Sequence, residues 1–210
     1  MSNEPDTTPP SGHSILAIAG SLRRDSHNRR LLEAAFELAP AGTRITLYDE
    51  LGAIPMFNED LEAATGGGPE PVLRLRTAVA AAHGLLIATP EYNQSMPGVL
   101  KNAIDWLSRG HPEEVLAGKP VATIGASAGR WGTRLAQASL RQVLNATESL
   151  VMPAPALFLA EAERAFDRHG RLTDERVRQT LAGVLVALTD WIRRLHSADA
   201  ASDARAIRVA

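Results

Sequence analysis

Four polar residues crowd one short stretch of this chain: Ser21, Arg23, Ser26 and Asn28, within Gly20-Ser-Leu-Arg-Arg-Asp-Ser-His-Asn28. An apolar run, Ser14–Ala19, precedes it and an amphipathic run, Leu31–Ala39, follows it. That order predicts a strand, a polar loop and a helix. Backbone N–H groups at such a helix start carry partial positive charge and favour an anion. Gly20 suits a tight turn, Ser21, Ser26 and Asn28 add short hydrogen-bonding side chains, and Arg23 with Arg24 adds charge-assisted donors suited to phosphate. The same residues also satisfy a plainer description, a strand-to-helix turn in which Ser26 or Asn28 caps the helix. The stretch matches neither G-x-x-x-x-G-K-[ST] nor G-x-G-x-x-G, so a phosphate held here rests on hydroxyls, amides and arginines without a lysine.

Two further polar segments have chemical potential. Thr89-Pro-Glu-Tyr-Asn-Gln-Ser-Met-Pro-Gly98 places an acid, an amphipathic aromatic and three amide or hydroxyl groups between two prolines. This mixture suits a planar heteroaromatic ring with polar edges, whose face is covered by apolar atoms. It equally describes a turn-rich connection in which Tyr92 and Met96 simply pack. Gly125-Ala-Ser-Ala-Gly-Arg-Trp-Gly-Thr133 is rich in small residues that let the backbone approach a ligand closely. Its Trp131 can stack on a ligand or pack at a subunit contact, and both roles stay open.

The elements that position these segments follow from the hydropathy pattern. Strands are predicted at Ser14–Ala19, Arg44–Asp49, Gly84–Thr89, Pro120–Gly125 and Leu150–Phe158. The first, third and fourth are near-continuous apolar runs, the mark of strands buried on both faces of a parallel sheet. The fifth is interrupted by Pro153 and Pro155, which confines it to a short or edge position. Helical periodicity covers Asn28–Ala39, Glu70–Ala82, Pro97–Ser108, Thr133–Ala146 and Thr173–His196, the last with Thr173 as its cap. Five alternating units predict a doubly wound sheet with helices on both faces. Ligands in such sheets bind at the carboxyl ends of the strands, where the strand order reverses, and the three polar loops should converge there. Residues 1–13 read as a disordered lead, 14–196 as one domain, and 197–210 as a loose or partly helical tail.

Composition narrows the function classes. A hydrophobic fraction of 45%, a charged fraction of 22% and a net charge of −2 describe a globular chain, with no charge excess that would draw nucleic acid or an anionic membrane. With no cysteine there is no disulfide, thiol nucleophile or thiolate metal site. The six histidines show no H-x-x-x-H pairing, so no metal is expected, and no G-x-S-x-G elbow supports a serine hydrolase. Met1–Ser14 lacks the basic and apolar regions of a signal peptide, and no apolar run approaches the roughly 20 residues that span a bilayer. A cytoplasmic protein is expected.

Taken together, Gly20-Ser-Leu-Arg-x-x-Ser-x-Asn28, Pro90-Glu-Tyr-Asn-x-Ser-x-Pro-Gly-x-Leu-Lys-Asn-Ala-Ile-Asp-Trp106 and Gly125-Ala-Ser-x-Gly-x-x-Gly132 resemble the NADPH-dependent FMN reductase family, a flavodoxin-like group that includes chromate, quinone and azo-dye reductases. Ile54-Pro-Met-Phe-Asn-Glu-Asp-Leu61 is similar to a further segment of that family. The resemblance spans about residues 14–189. It implies a flavodoxin-like five-stranded sheet and an FMN cofactor, with the phosphate on Ser21, Arg23, Ser26 and Asn28. The isoalloxazine ring would lie against Pro90, Glu91, Tyr92 and Asn93, with Ser127 and Gly129 closing the other side. Ala128 stands where relatives often carry proline, and Arg130-Trp131 is bulky for this loop.

Hydride chemistry belongs to a flavin cofactor, so no catalytic side chain is required. The expected activity is NAD(P)H-dependent: hydride passes from NADPH or NADH to FMN and on to a quinone, azo compound, metal oxyanion or free flavin by ping-pong exchange. A flavodoxin-type electron carrier is the alternative, although such carriers are strongly acidic around the flavin and this loop is locally basic. A flavin-binding regulator is a third. The resemblance also implies a homodimer or homotetramer.

Overall fold

The computed structural model describes the backbone of residues 12–110 and 114–209, with side chains through residue 197. Residues 1–11 of the expected lead, and His111, lie outside the described residues. Strands β1 (His13–Ala19), β2 (Thr43–Tyr48), β3 (Gly84–Ala88), β4 (Pro120–Ala126) and β5 (Leu150–Val151) form a parallel sheet in the order β2-β1-β3-β4-β5. A sixth strand, β6 (Leu157–Leu159), continues the pairing along β4 where β5 stops. The single fifth strand expected at Leu150–Phe158 is therefore two short pieces. Pro153 and Pro155 lack the N–H groups a ladder needs, and the chain between the pieces leaves the sheet.

Helices α1 (His27–Glu37), α2 (Glu59–Thr65), α3 (Glu70–Ala81), α4 (Gly98–Leu107), α5 (Arg134–Ala146) and α6 (Glu175–Val209) cover both faces. Alternate strand residues serve the two sides. Ile15, Ala17 and Leu86 pack against Leu31 and Leu32 of α1 and Leu181, Leu185 and Leu188 of α6. Leu16, Ile18, Leu85 and Ile87 pack against α3, α4 and α5 through Leu75, Leu100, Ile104 and Leu140. Phe36 is exposed, although helical spacing places it beside Leu32. The cap of α6 is Asp174, whose Oδ1 accepts from Val177 N at 3.0 Å. Thr173 instead turns both its hydroxyl and its N–H to Ala165 O, at 3.4 and 2.9 Å. Helix α6 also runs on through the stretch expected to form the tail.

Two separated motifs prove to be one packing unit. Asn102 is buried on α4, accepts from Phe57 N at 2.7 Å and donates to Pro55 O at 2.9 Å. One turn on, Trp106 donates from Nε1 to the same carbonyl at 2.8 Å while its ring packs edge-on to Phe57. The backbone of 54–57 thus finds its partners on side chains of α4, as buried backbone groups outside regular ladders must. Asn102 is interior, not one of the surface polar groups of this helix. Lys101 and Asp105 do lie on the surface, paired at 2.6 Å.

At the opposite end of the sheet from these loops, His13, His83 and His196 gather with ring centroids 5.2–6.4 Å apart, a cluster that sequence spacing conceals. Among the described residues no such group has an arrangement that could hold a metal ion. Nor is any described helix long and apolar enough to cross a membrane.

Candidate functional site

The sheet changes direction between β1 and β3. The chain leaves β1 toward α1 on one face and β3 toward α4 on the other, which opens a crevice above the carboxyl ends of these strands. The rims are stitched together. Gly20 N donates to Ala88 O at 2.8 Å and Thr89 N to Ile124 O at 3.0 Å. Gly20 owes its place to close approach rather than to turn geometry, because a Cβ there would come within 3.1 Å of Leu100 and 3.4 Å of Pro90.

A cleft of about 200 Å³ lies at this point. It brings together eight of the ten expected site residues: Ser21, Arg23, Ser26 and Asn28 from the first loop, Pro90, Glu91 and Tyr92 from the second, and Ser127 from the third. Asn93 and Gly129 are not on its wall. Asn93 occupies the tip of a tight turn, with φ 49°, and the Gly129 N–H turns back to Ser127 Oγ at 3.1 Å. His27, Ala126 and Ala128 line the cleft as well. His27 was legible only as the residue between two recognised polar positions.

The first loop has donors in surplus. Ser26 caps α1 by accepting from Arg29 N at 3.3 Å, and Ser21 Oγ accepts from Arg23 N at 3.3 Å, so both hydroxyl protons stay available to a ligand. Arg23 is exposed, and its guanidinium has no hydrogen-bond or ion-pair partner among the described residues. His27 stacks on Phe166, and its Nδ1 is buried with no partner among the described residues. Burial, reinforced by the Arg30 guanidinium, lowers the His27 pKa from its ordinary value. Donors that lack acceptors, placed at a helix N-terminus, are the inverse of a phosphate, and the residues present fit that group.

Asn28 has a different task from its neighbours. Its buried amide accepts from Ala126 N and donates to Ala126 O, both at 2.9 Å, and so clamps α1 to the end of β4. Only its second amide proton is left for a ligand.

The second loop is held rigidly. Tyr92 and Ser95 exchange two backbone hydrogen bonds of 3.0 Å across Asn93 and Gln94, both in the left-handed region. This is a two-residue hairpin turn made without glycine. Glu91 accepts from Leu135 N and Ala136 N at 2.9 and 3.0 Å through one oxygen, Oε2. It therefore caps α5 from another segment, a duty that Thr133 does not perform. Ser95 and Ser139 hydroxyls meet at 3.0 Å and add a second tie to α5. We expect Glu91→Ala to cost about 1–2 kcal/mol of stability, the value of a lost helix cap, and to free the second loop. Thermal unfolding together with amide exchange at Tyr92 and Ser95 would check this; unchanged exchange would show the loop to be held by other contacts.

Trp131 neither lines the cleft nor packs into the body of the protein. It is 67% exposed, with the Arg130 guanidinium 4.8 Å above its ring.

A parallel 2-1-3-4-5 sheet with a donor-lined cleft at its switch point defines a flavodoxin-like α/β protein. The model of the NADPH-dependent FMN reductase family matches residues 13–164. The chain belongs to that family. It is 48% identical over 181 residues to an NAD(P)H-dependent FMN reductase of Pseudomonas aeruginosa, covering 86% of this chain and 96% of the relative. It is 39% identical over 179 residues to a 2-hydroxy-1,4-benzoquinone reductase of a Burkholderia species, covering 85% and 96%. Among solved structures it is similar to FerB, a flavoenzyme NAD(P)H:(acceptor) oxidoreductase of Paracoccus denitrificans. That match has a TM-score of 0.78 and 37% identity over 87% of this chain and 98% of FerB.

Proposed function

We propose that the cleft binds FMN and that the protein is an NAD(P)H-dependent oxidoreductase with a small-molecule acceptor. The observation that carries the reading is the acceptor-poor first loop, where Ser21, Ser26 and Arg23 offer donors to a phosphate at the start of α1. Bound FMN supplies the hydride chemistry between a nicotinamide donor and the acceptor, and exchange of the two at one open face gives ping-pong kinetics. The chain's own residues bind and orient. The first loop takes the phosphate, with the remaining Asn28 amide proton as a further donor. Pro90, Glu91 and Tyr92 form the ring-side wall, which the Glu91–α5 link keeps in place, with Asn93 at the turn tip beyond it. Ser127 closes the far side, its hydroxyl oxygen also accepting from Gly129 N. Quinones are the favoured acceptors, because relatives covering most of the chain are named quinone reductases; azo compounds, metal oxyanions and free flavin complete the range. A cytoplasmic homodimer or homotetramer belongs to the same reading.

The deciding experiment is the visible spectrum of the purified protein with FMN, before and after anaerobic NADPH and then NADH. Rapid bleaching supports the reductase. A yellow protein that stays oxidised would make it an electron carrier, and failure to take up FMN would overturn the cofactor assignment. Ser21→Ala with Arg23→Ala should weaken FMN binding by about 2–4 kcal/mol, the sum of a few charge-assisted hydrogen bonds. Fluorescence titration measures this directly, and unchanged affinity would remove the phosphate from this loop.

A further inference from the structure

A second cavity, of about 500 Å³, lies on the other side of the first loop, between the ends of β1 and β2. Ser21 and Arg23 line both spaces and form the wall between them. The rest of the lining has the mixed character of a nucleotide site. Arg24 and Arg29 supply positive charge, Asp49 a carboxylate, and Leu22 and Leu51 an apolar surface.

Several of these groups are not engaged in the fold. Arg29 is paired with Glu33 at 3.3 Å, but the Arg24 guanidinium and the Asp49 carboxylate make no ion pair or side-chain hydrogen bond among the described residues. Leu22 is 57% exposed, although it comes close to Gly52, where a Cβ would lie 3.4 Å from it. A free arginine, a free carboxylate and an exposed apolar side chain around one cavity call for a ligand that offers phosphate, hydroxyls and an apolar plane together. Asp49 directly follows β2. In doubly wound dinucleotide-binding sheets, an acid near this position receives the ribose 2′-hydroxyl of an unphosphorylated dinucleotide, or a nearby arginine accommodates a 2′-phosphate, and Asp49 and Arg24 offer one group for each.

We infer that this second cavity holds the adenosine-phosphate half of the nicotinamide dinucleotide, with Arg24 on phosphate and Asp49 on ribose. The inference rests on the reductase reading above. The geometry allows one dinucleotide to serve both spaces. The ring-side loop follows β3 and Asp49 follows β2, two strand spacings apart, or roughly 10 Å, and an extended dinucleotide is longer than that. Arg23, already assigned to the flavin phosphate, stands between the two spaces, so the added phosphate falls to Arg24 and Arg29.

The test uses adenosine 2′,5′-bisphosphate, which lacks the nicotinamide and so reports on this cavity without turnover. It would be titrated calorimetrically into the FMN-loaded protein and its Arg24→Ala and Asp49→Asn variants, alongside steady-state kinetics with NADPH. Arg24→Ala should weaken the bisphosphate and raise KM for NADPH by about tenfold, the loss of one charge-assisted contact. FMN affinity and kcat should be preserved, since neither residue lines the flavin cleft. Asp49→Asn should weaken adenosine 5′-monophosphate, which offers both ribose hydroxyls, and should not weaken the bisphosphate, whose 2′-phosphate leaves a carboxylate no 2′-hydroxyl to hold. Failure of the wild type to bind the bisphosphate, or equal binding by all three proteins, would overturn the assignment while leaving NADPH oxidation intact. Bisphosphate binding that depends on Arg24, in a protein that does not oxidise NADPH, would instead overturn the reductase reading and keep the site. Loss of FMN from Arg24→Ala would assign the cavity to the flavin phosphate and also overturn the inference.

Discussion

Gly125→Ala is expected to destabilise the protein by about 3 kcal/mol or more, the upper range for forcing extra volume into a packed interior. A Cβ at this position would lie 2.0 Å from Thr133 Oγ1 and 2.5 Å from the backbone carbonyl of Thr89. The first obstacle is a side chain that is itself engaged. Thr133 is fully buried and accepts from Gln137 Nε2 at 3.0 Å, while Gln137 also donates to Leu157 O at 2.9 Å and accepts from Thr123 at 3.1 Å. The second obstacle is backbone and has little freedom to retreat. Urea denaturation would measure the loss. Adding Thr133→Ala should recover only part of it, because the Thr89 carbonyl still blocks the new carbon; full recovery would show that strand β3 yields more readily than its packing implies. The small residues of this loop suggest close approach of a ligand, yet at Gly125 the space is filled by Thr133 and Thr89.

Asn28→Ala should cost about 2–4 kcal/mol, since it strands two buried backbone groups of Ala126 whose desolvation is no longer offset. The truncation also unlinks α1 from the end of β4, and with it the first loop from the third. Asn28→Asp separates the two halves of the clamp. A carboxylate still accepts from Ala126 N but cannot donate to Ala126 O, and its charge stands beside the phosphate position. Its stability should be no higher than that of Asn28→Ala, because a buried carboxylate oxygen then faces the Ala126 carbonyl, with a loss of FMN affinity beyond what alanine causes. If Asn28→Ala unfolds at the wild-type denaturant concentration and only FMN binding suffers, the residue is a cofactor ligand first and a clamp second.

What the sequence makes legible here is set by how local each feature is. Strands β1, β3 and β4 were readable because burial on both faces leaves an unbroken apolar run, and their ends fall within a residue or so of expectation. The convergence of three loops followed from the alternation of strands and helices, and the cleft contains residues from all three. The features that stayed hidden depend on partners remote in the chain. Asn28 meets Ala126 across 98 positions, Glu91 meets Leu135 across 44, and Asn102 meets Phe57 across 45. A polar residue in a loop motif looks the same whether it faces a ligand or a distant backbone amide. In the run Lys101–Trp106 only the tertiary fold shows that Asn102 and Trp106 hold the 54–57 segment.

The divided margin of the sheet bears on how this protein behaves at high concentration. A long exposed edge offers a row of unpaired N–H and C=O groups to any neighbouring chain, the template for sheet extension and fibril growth. At this margin, opposite the edge formed by the six-residue strand β2, the outermost strands β5 and β6 are two and three residues long. Two prolines stand between them, and Arg141 already occupies the Met152 carbonyl at 2.8 Å. An incoming strand would find no continuous register to pair with on this side of the sheet. Restoring that register by replacing Pro153 and Pro155 with valine would give the protein a straight, sticky border, and the cost would be read in turbidity on storage rather than in the affinity of the cleft.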